Sequence, residues 1–447
     1  MRKRQAAENH DEIETMRIAF VAVSAPGHLN PTTALARKLQ ARGHDVVLTS
    51  LPDAEPYANA AGLPFVPFGE EDYPAGTLPK IAAELSKLKG QDALEFTLRA
   101  GAKILLATFA DLPRSLRETR ADALVIDHAL QTAGLVPMHL DLPFVNISNA
   151  LHLDFSGVTP LNIFAWPHET TPEARARNEA GVSKYLQSLE PISAITREYA
   201  EKNGLKVDWK DPYATTSKLA WLTQVPREFD FPSDHWPSSF HHTGPFHDGE
   251  GRVSSEFPWE RLTGEPMIYA SMGTLQNGLE PVFSTIAEAV GKSAPAMQLV
   301  LSIGSSLDPK QIRSLPANAI VVQNAPQVAL LKRASLCITH AGLNTVLESL
   351  TQGVPMVAIP ITNDQPGVAA RIASTKTGKF VPVQELTPER LSALIDEVLR
   401  SSEYRKNALT MQRAIQRTDG MNKAADLIEE AFGLRRVTTR EVAMSAD

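Results

Sequence analysis

The residues best suited to chemistry crowd into one stretch, 336–365. A short apolar run, 336–339, ends on His340, and Ala341-Gly342 permit a sharp turn with close backbone approach. Asn344 and Thr345 stand where the next helix begins, and either side chain can cap it. A strand-to-helix turn of this kind presents free N–H groups and a positive dipole end, which favour phosphate. His340 adds a donor, Glu348 offers acceptors for sugar hydroxyls, and Asp364 and Gln365 offer more. The segment therefore holds partners for a diphosphate, a ribose and a hexose.

Two further groups lie far from it in sequence. His28 follows the first apolar strand, and Asp127 ends a later one. A parallel sheet would bring both to one crevice. A carboxylate on the far nitrogen of a histidine fixes its tautomer and stabilises the imidazolium, which makes a general base. A loop histidine alone is ordinary; its place at a strand end gives it interest. His128 competes with Asp127, but neighbours along a strand face opposite ways. Ser271, Gly273 and Thr274 follow another strand and offer hydroxyls and open backbone to the same anion as the His340 turn.

Alternating strands and helices must position these groups. Strands are expected at 17–24, 45–49, 63–68, 123–127, 144–148 and 218–223, and again at 267–273, 298–302, 319–322, 336–339 and 355–359. Between the first two, A-P-G-H-L-N-P reads as a loop, with Pro31 near the start of a helix over 32–41. Residues 78–120 read as helix broken around Gly90 and Pro113, and helices are expected at 132–140, 281–292, 309–314, 327–334 and 344–352. Residues 149–218 lose the alternation and carry scattered aromatics, as a binding wall or a structural excursion would. The tail from 387 to 432 reads as three helices. Two doubly wound α/β domains facing a cleft is the economical arrangement.

Composition narrows the function. A chain of 447 residues can bury two cores, and a formal charge of −7 gives no general pull toward nucleic acid. The single cysteine, Cys337, excludes an intramolecular disulfide and a cysteine-based metal cluster and fits a reducing compartment. No apolar run reaches the length of a membrane helix, and the first 14 residues lack the apolar core of a signal peptide. There is no Asp-x-Asp triplet and no GxGxxG after a strand, so neither that metal site nor the usual nicotinamide or flavin fingerprint is present.

The stretch H-A-G-L-N-T-V-L-E, followed by D-Q, resembles the donor signature of the UDP-glycosyltransferases, glycosyltransferase family 1, of GT-B fold. G-H-L-N-P, S-M-G-T and A-P-Q extend the resemblance over nearly the whole chain. S-M-G-T-L-Q and D-Q-P-G-V-A-A-R-I are similar to the bacterial zeaxanthin glucosyltransferase branch and macrolide-type relatives. The resemblance implies His28 as base with Asp127 in support. It implies Thr274, His340, Asn344 and Thr345 on the diphosphate, Glu348 on ribose, Asp364 and Gln365 on the sugar, and Gln327 on the nucleobase. Many members stack uracil on a Trp three positions before that Gln; here the residue is Asn324, which leaves uridine and thymidine donors both open.

The expected protein is an inverting, metal-independent enzyme moving a hexose, glucose foremost, from a UDP-sugar (or dTDP-sugar) to a hydroxyl of a hydrophobic carotenoid, polyketide, flavonoid or other phenol. A nucleotide-sugar epimerase of the same shape and an inactive nucleotide-binding regulator are the alternatives. Residues 1–15 are expected as a tail, 16–235 as the acceptor domain, 236–265 as a linker, 266–418 as the donor domain, and 419–447 as a last helix and tail. A cytoplasmic monomer or weak dimer is expected, with no cofactor and no nucleic-acid partner, touching a membrane only if the acceptor is a lipid.

Overall fold

Short runs of aliphatic and β-branched residues form the strands, and the central ones are buried along all or nearly all of their length, as strands covered on both faces require. The computed structural model describes residues 15–273 and 278–434. The first sheet contains β1 (Arg17–Val21), β2 (Asp45–Ser50), β3 (Phe65–Pro67), β4 (Ala123–Asp127), β5 (Phe144–Ser148), β6 (Trp221–Thr223) and β7 (Phe240–His242). Its order is β3-β2-β1-β4-β5-β6-β7. The second contains β8 (Met267–Ser271), β9 (Gln298–Ser302), β10 (Ile320–Val322), β11 (Ala334–Thr339), β12 (Met356–Ala358) and β13 (Gly378–Phe380), in the order β10-β9-β8-β11-β12-β13. Every pairing is parallel.

In each sheet the chain winds outward from a central pair, β1 and β4 or β8 and β11, and the strand order reverses between them. Such a switch point leaves a crevice at the strands' carboxyl ends. Each sheet has an apolar cluster on both faces.

Three local expectations are corrected. The first helix spans Pro26–Ala41, so Pro26 takes the opening turn, His28 is helical, and Pro31 lies inside the helix. Pro31 has no N–H for the Gly27 carbonyl, and the Asn344 side chain of the second domain supplies that donor at 2.6 Å. Pro113 does not break its helix either: Gly90–Thr119 runs through it, while Phe109, Leu112 and Leu116 seat that face in the core. Residues 309–314 make only a 3₁₀ turn, Pro309–Gln311, followed by Ile312 in extended backbone and by Ser314 at φ 56°.

The stretch 236–265 is not wholly a connection, because β7 lies within it and pairs with β6. The last described helix, Gly420–Ala431, crosses back to the first domain. Ala424, Ala425 and Ile428 join that domain's core, and Arg42 holds Asp426 at 2.6 Å and Glu429 at 2.9 Å.

Candidate active site

His28 and Asp127 meet at the first switch point. The opening turn of helix Pro26–Ala41 carries the imidazole over the end of β4, and Nδ1 lies 2.6 Å from Asp127 Oδ2. A carboxylate only accepts, so Nδ1 carries the proton in this contact and Nε2 is left to receive one. The Asp127 side chain is fully buried, whereas 20% of the His28 side chain reaches the cleft. Oδ1 of Asp127 accepts from the Ala129 N–H at 3.0 Å, and Oδ2 accepts from Asn149 Nδ2 at 3.0 Å. Burial pulls the His28 pKa down, but the charge and hydrogen bond of Asp127, with the charge of Asp364, outweigh it and leave it raised. Burial pushes the Asp127 carboxyl up; His28, Ala129 and Asn149 bring it net below its ordinary value. His128 faces away, stacked on Trp221 with centroids 4.2 Å apart, and burial lowers its pKa to about 3.

The second switch point gathers Ser271, Gly273, His340 and Gly342. The His340 ring is wedged between the two glycines: a Cβ at either would stand 2.5 Å from its Cε1 and Nε2. Its Nδ1 is buried without a hydrogen-bond partner, and burial alone lowers its pKa to about 4. The ring is thus neutral near pH 7, with its Cε1–Nε2 edge beside the opening of helix Leu343–Thr351 and its unsatisfied Nδ1 on the Gly273 side. Ser271 Oγ accepts from the Gly273 N–H at 3.4 Å. Thr274 lies outside the described residues.

The helix Leu343–Thr351 carries Asn344, Thr345 and Glu348 of the predicted donor set. Thr345 accepts from Gln327 Nε2 at 3.2 Å, and Glu348 accepts from the same nitrogen at 2.7 Å. Tyr269 donates to Gln327 Oε1 at 3.1 Å, so the base-facing glutamine of the sequence reading is also a brace for Glu348. Asn324 is exposed just after β10. Asn344 points across the cleft rather than along its own helix, donating to Gly27 O and accepting from Gln224 Nε2 at 2.9 Å.

Asp364 opens helix Gln365–Ser374 and faces the first domain, where the Leu151 N–H donates to its Oδ2 at 2.9 Å. Burial raises its pKa, against smaller opposing effects of Leu151 and His28. Gln365 Oε1 accepts from the N–H groups of Ile361 at 2.8 Å and Thr362 at 3.1 Å, which fixes the loop before it. Both halves therefore converge on one cleft. Among the described residues no group of three or more His, Cys, Asp or Glu is arranged to hold a metal, and no helix is long and apolar enough to cross a membrane.

Three residues of this site escaped the sequence reading. Asn149 and Gln224 follow β5 and β6 directly, so the strand-end rule that singled out Asp127 applies to them too. Arg252, on Glu348, sits in a stretch without periodicity, and no sequence signal marks it. The aromatic insertion also holds an open groove of about 490 Å³ lined by Phe155, Val182 and Leu186, which shares no residue with the cleft site.

Two facing Rossmann-like sheets with paired sites at their switch points define a GT-B glycosyltransferase. Residues 184–423 match the family described as UDP-glucoronosyl and UDP-glucosyl transferase, and the chain belongs to that family. It is 28% identical over 417 residues to the zeaxanthin glucosyltransferase of Pantoea ananas, covering 92% of this chain and 96% of that one. It is likewise 28% identical over 426 residues to the demethyllactenocin mycarosyltransferase of Streptomyces fradiae, covering 92% and 86%. The crystal structure of the glycotransferase of kitacinnamycin superposes with a TM-score of 0.71 at 26% identity, over 93% of this chain and 99% of that chain. The calicheamicin glycosyltransferase CalG4 shares the fold with a TM-score of 0.71 at 22% identity, over 95% and 100%. The enzyme is a glycosyltransferase that transfers sugar to small-molecule acceptors.

Proposed function

We propose that this enzyme moves a hexose, glucose foremost, from a UDP-sugar to a hydroxyl of a hydrophobic small molecule, with inversion and without a metal. The observation that carries the reading is the 2.6 Å contact between His28 and the buried Asp127, at a cleft whose opposite wall bears the donor motif. His28 Nε2 takes the acceptor proton as the oxygen attacks the anomeric carbon from the face opposite the nucleotide. Asp127 stabilises the imidazolium that forms. The departing diphosphate carries the negative charge to the turn after Gly342, where backbone N–H groups, His340 and Thr274 receive it. Glu348 holds the ribose, Asp364 and Gln365 the sugar, and Gln327 the nucleobase. The acceptor class, a carotenoid, polyketide, flavonoid or other phenol, is supported by the zeaxanthin and demethyllactenocin enzymes among the relatives. A dTDP-sugar is a second candidate donor, since exposed Asn324 offers no ring for a uracil to stack on.

His28→Ala tests the mechanism. Loss of a general base lowers turnover on hydroxyl acceptors by about 10²–10⁴-fold, while calorimetric binding of UDP-glucose stays near wild type. Near-normal turnover in that variant removes His28 from the role. An acceptor panel offered with UDP-glucose and dTDP-glucose, read by mass spectrometry, identifies the substrate pair; an isomerised sugar nucleotide without any glycoside would contradict transfer.

A further inference from the structure

Arg252 lies in a segment that the proposed chemistry does not use, yet it is placed on one of that chemistry's central groups. Its Nη2 stands 2.5 Å from Glu348 Oε1, and the Glu348 side chain is only 3% exposed against 25% for the arginine. The other carboxylate oxygen, Oε2, is the one that accepts from Gln327 at 2.7 Å. The arginine is not a loose surface side chain. Its loop is tied to the first helix by Arg37, which reaches Asp248 at 3.1 Å and Glu250 at 2.8 Å. Gly251, at φ +63°, lies so close to that tether that a Cβ there would stand 2.8 Å from Arg37 Nη1. On the other side His247 Nε2 meets Thr351 Oγ1 at 3.1 Å. The loop is thus pinned to both domains, with Arg252 between them.

We propose that Arg252 is a specificity-determining residue that makes the donor site indifferent to the 2′-hydroxyl of the nucleotide. The inference rests on Glu348 being the group that meets the ribose. A vicinal diol grips a carboxylate best with one hydroxyl on each oxygen. Here Oε2 carries only the neutral Gln327 amide, which a hydroxyl can join or replace, whereas on Oε1 it must compete with a guanidinium paired to a buried charge. Charge-assisted hydrogen bonds are roughly twice as strong as neutral ones, and a buried carboxylate stripped of its cation is costly. Arg252 therefore stays on Oε1, and the sugar gains one hydroxyl contact on the Oε2 side instead of two. A site built to bond a hydroxyl strongly rejects the analogue that lacks it, whereas a site whose acceptor is already filled does not. Ribo and 2′-deoxyribo donors are accepted alike.

UDP and 2′-deoxyuridine 5′-diphosphate differ by that hydroxyl alone, and their dissociation constants on the full chain can be measured by titration calorimetry. The wild type is expected to bind both within about threefold, and Arg252→Ala to widen the ratio in favour of UDP by about tenfold, the scale of one recovered hydrogen bond. Arg252→Met, which keeps the apolar stem, is expected to do the same. A wild-type preference for UDP above about tenfold, or variants with an unchanged ratio, overturns the proposal. The wild-type ratio needs no substitution, so a variant that fails to fold leaves the question decidable. Absence of binding by either diphosphate would instead overturn the donor-site reading beneath it.

Discussion

Asp127 sets how His28 works, and the sign of its effect is measurable. The base acts only when neutral, and its pKa is raised by Asp127 and Asp364 against the opposing effect of burial. The acid limb of kcat/KM for a hydroxyl acceptor is therefore expected to have its midpoint above 6.5, the ordinary histidine value. Asp127→Asn removes the counter-charge and leaves the burial, so the midpoint moves below its wild-type position while maximal turnover falls. A midpoint that does not move would detach Asp127 from the base. Linkage runs the other way for folding. A raised histidine pKa gives stability that is complete below pH 6.5 and is lost as the pH rises through the folded value. The residue thus contributes least to the fold in the protonation state that catalysis needs. Ala341 shows another tension at this scale: it sits buried at φ 66°, a left-handed conformation in which a Cβ is strained and glycine is not.

At the scale of elements, the turn from β11 into helix Leu343–Thr351 is a cradle whose fit depends on two absent side chains. Gly342 has φ −61°, so its backbone suits alanine; only space forbids it, because the new Cβ would stand 2.5 Å from the His340 ring. Gly342→Ala is expected to push the ring aside, cost about 1–3 kcal/mol by overpacking, and weaken UDP binding. Unchanged affinity together with unchanged denaturation midpoint would show that the ring has room to shift. The first helix makes the complementary point. Pro31 withdraws a hydrogen bond inside it, and the second domain restores one through Asn344. A proline that reads as a helix start is in this chain the point where two domains are joined.

Across the whole molecule the two halves are joined by polar contacts as well as by apolar packing, in which Leu151, Val225 and Phe229 enter the second domain's cluster. Gly367 N–H donates to Asn162 O at 2.8 Å, and Gly90 N–H donates to Ile361 O at 3.1 Å. A buried charge cluster joins Arg371 of the donor side to Asp230 at 2.8 Å, with both side chains 3% exposed or less. Arg371 also lies over the Phe231 ring, 4.3 Å from its centroid. His152 Nε2 comes within 2.9 Å of Asp230 Oδ2, though not aligned for a hydrogen bond, and His242 stands 3.6 Å away. Burial pushes the Asp230 carboxyl up, but His152 and Arg371 hold it well below the usual carboxylate range. Burial lowers the His242 pKa to about 4 against the pull of Asp230. Asp230→Ala strands a buried guanidinium and is expected to cost about 3–5 kcal/mol, read from chemical denaturation. A loss below about 1 kcal/mol, the range of exposed pairs, would mean that water reaches Arg371.

The donor signature was legible because its parts lie in one strand-turn-helix unit. Local spacing alone orders His340, Gly342, Thr345 and Glu348, and alternating apolar runs mark the strands that carry them. The strand-end rule also drew His28 and Asp127 toward each other across 99 positions. The short edge strands β7 and β13 were not legible, since F-H-H and G-K-F lack the apolar run that marks the equally short β6, β10 and β12. Only the tertiary structure decided what each group faces. Asn344 turns to the other domain, Gln327 braces Glu348, and Arg252 fills Glu348 from a segment with no pattern of its own. Contacts between domains depend on how two rigid sheets are set against each other. No periodicity within either sheet encodes that placement, so the sequence by itself determined the parts of the cleft and the fold determined their partners.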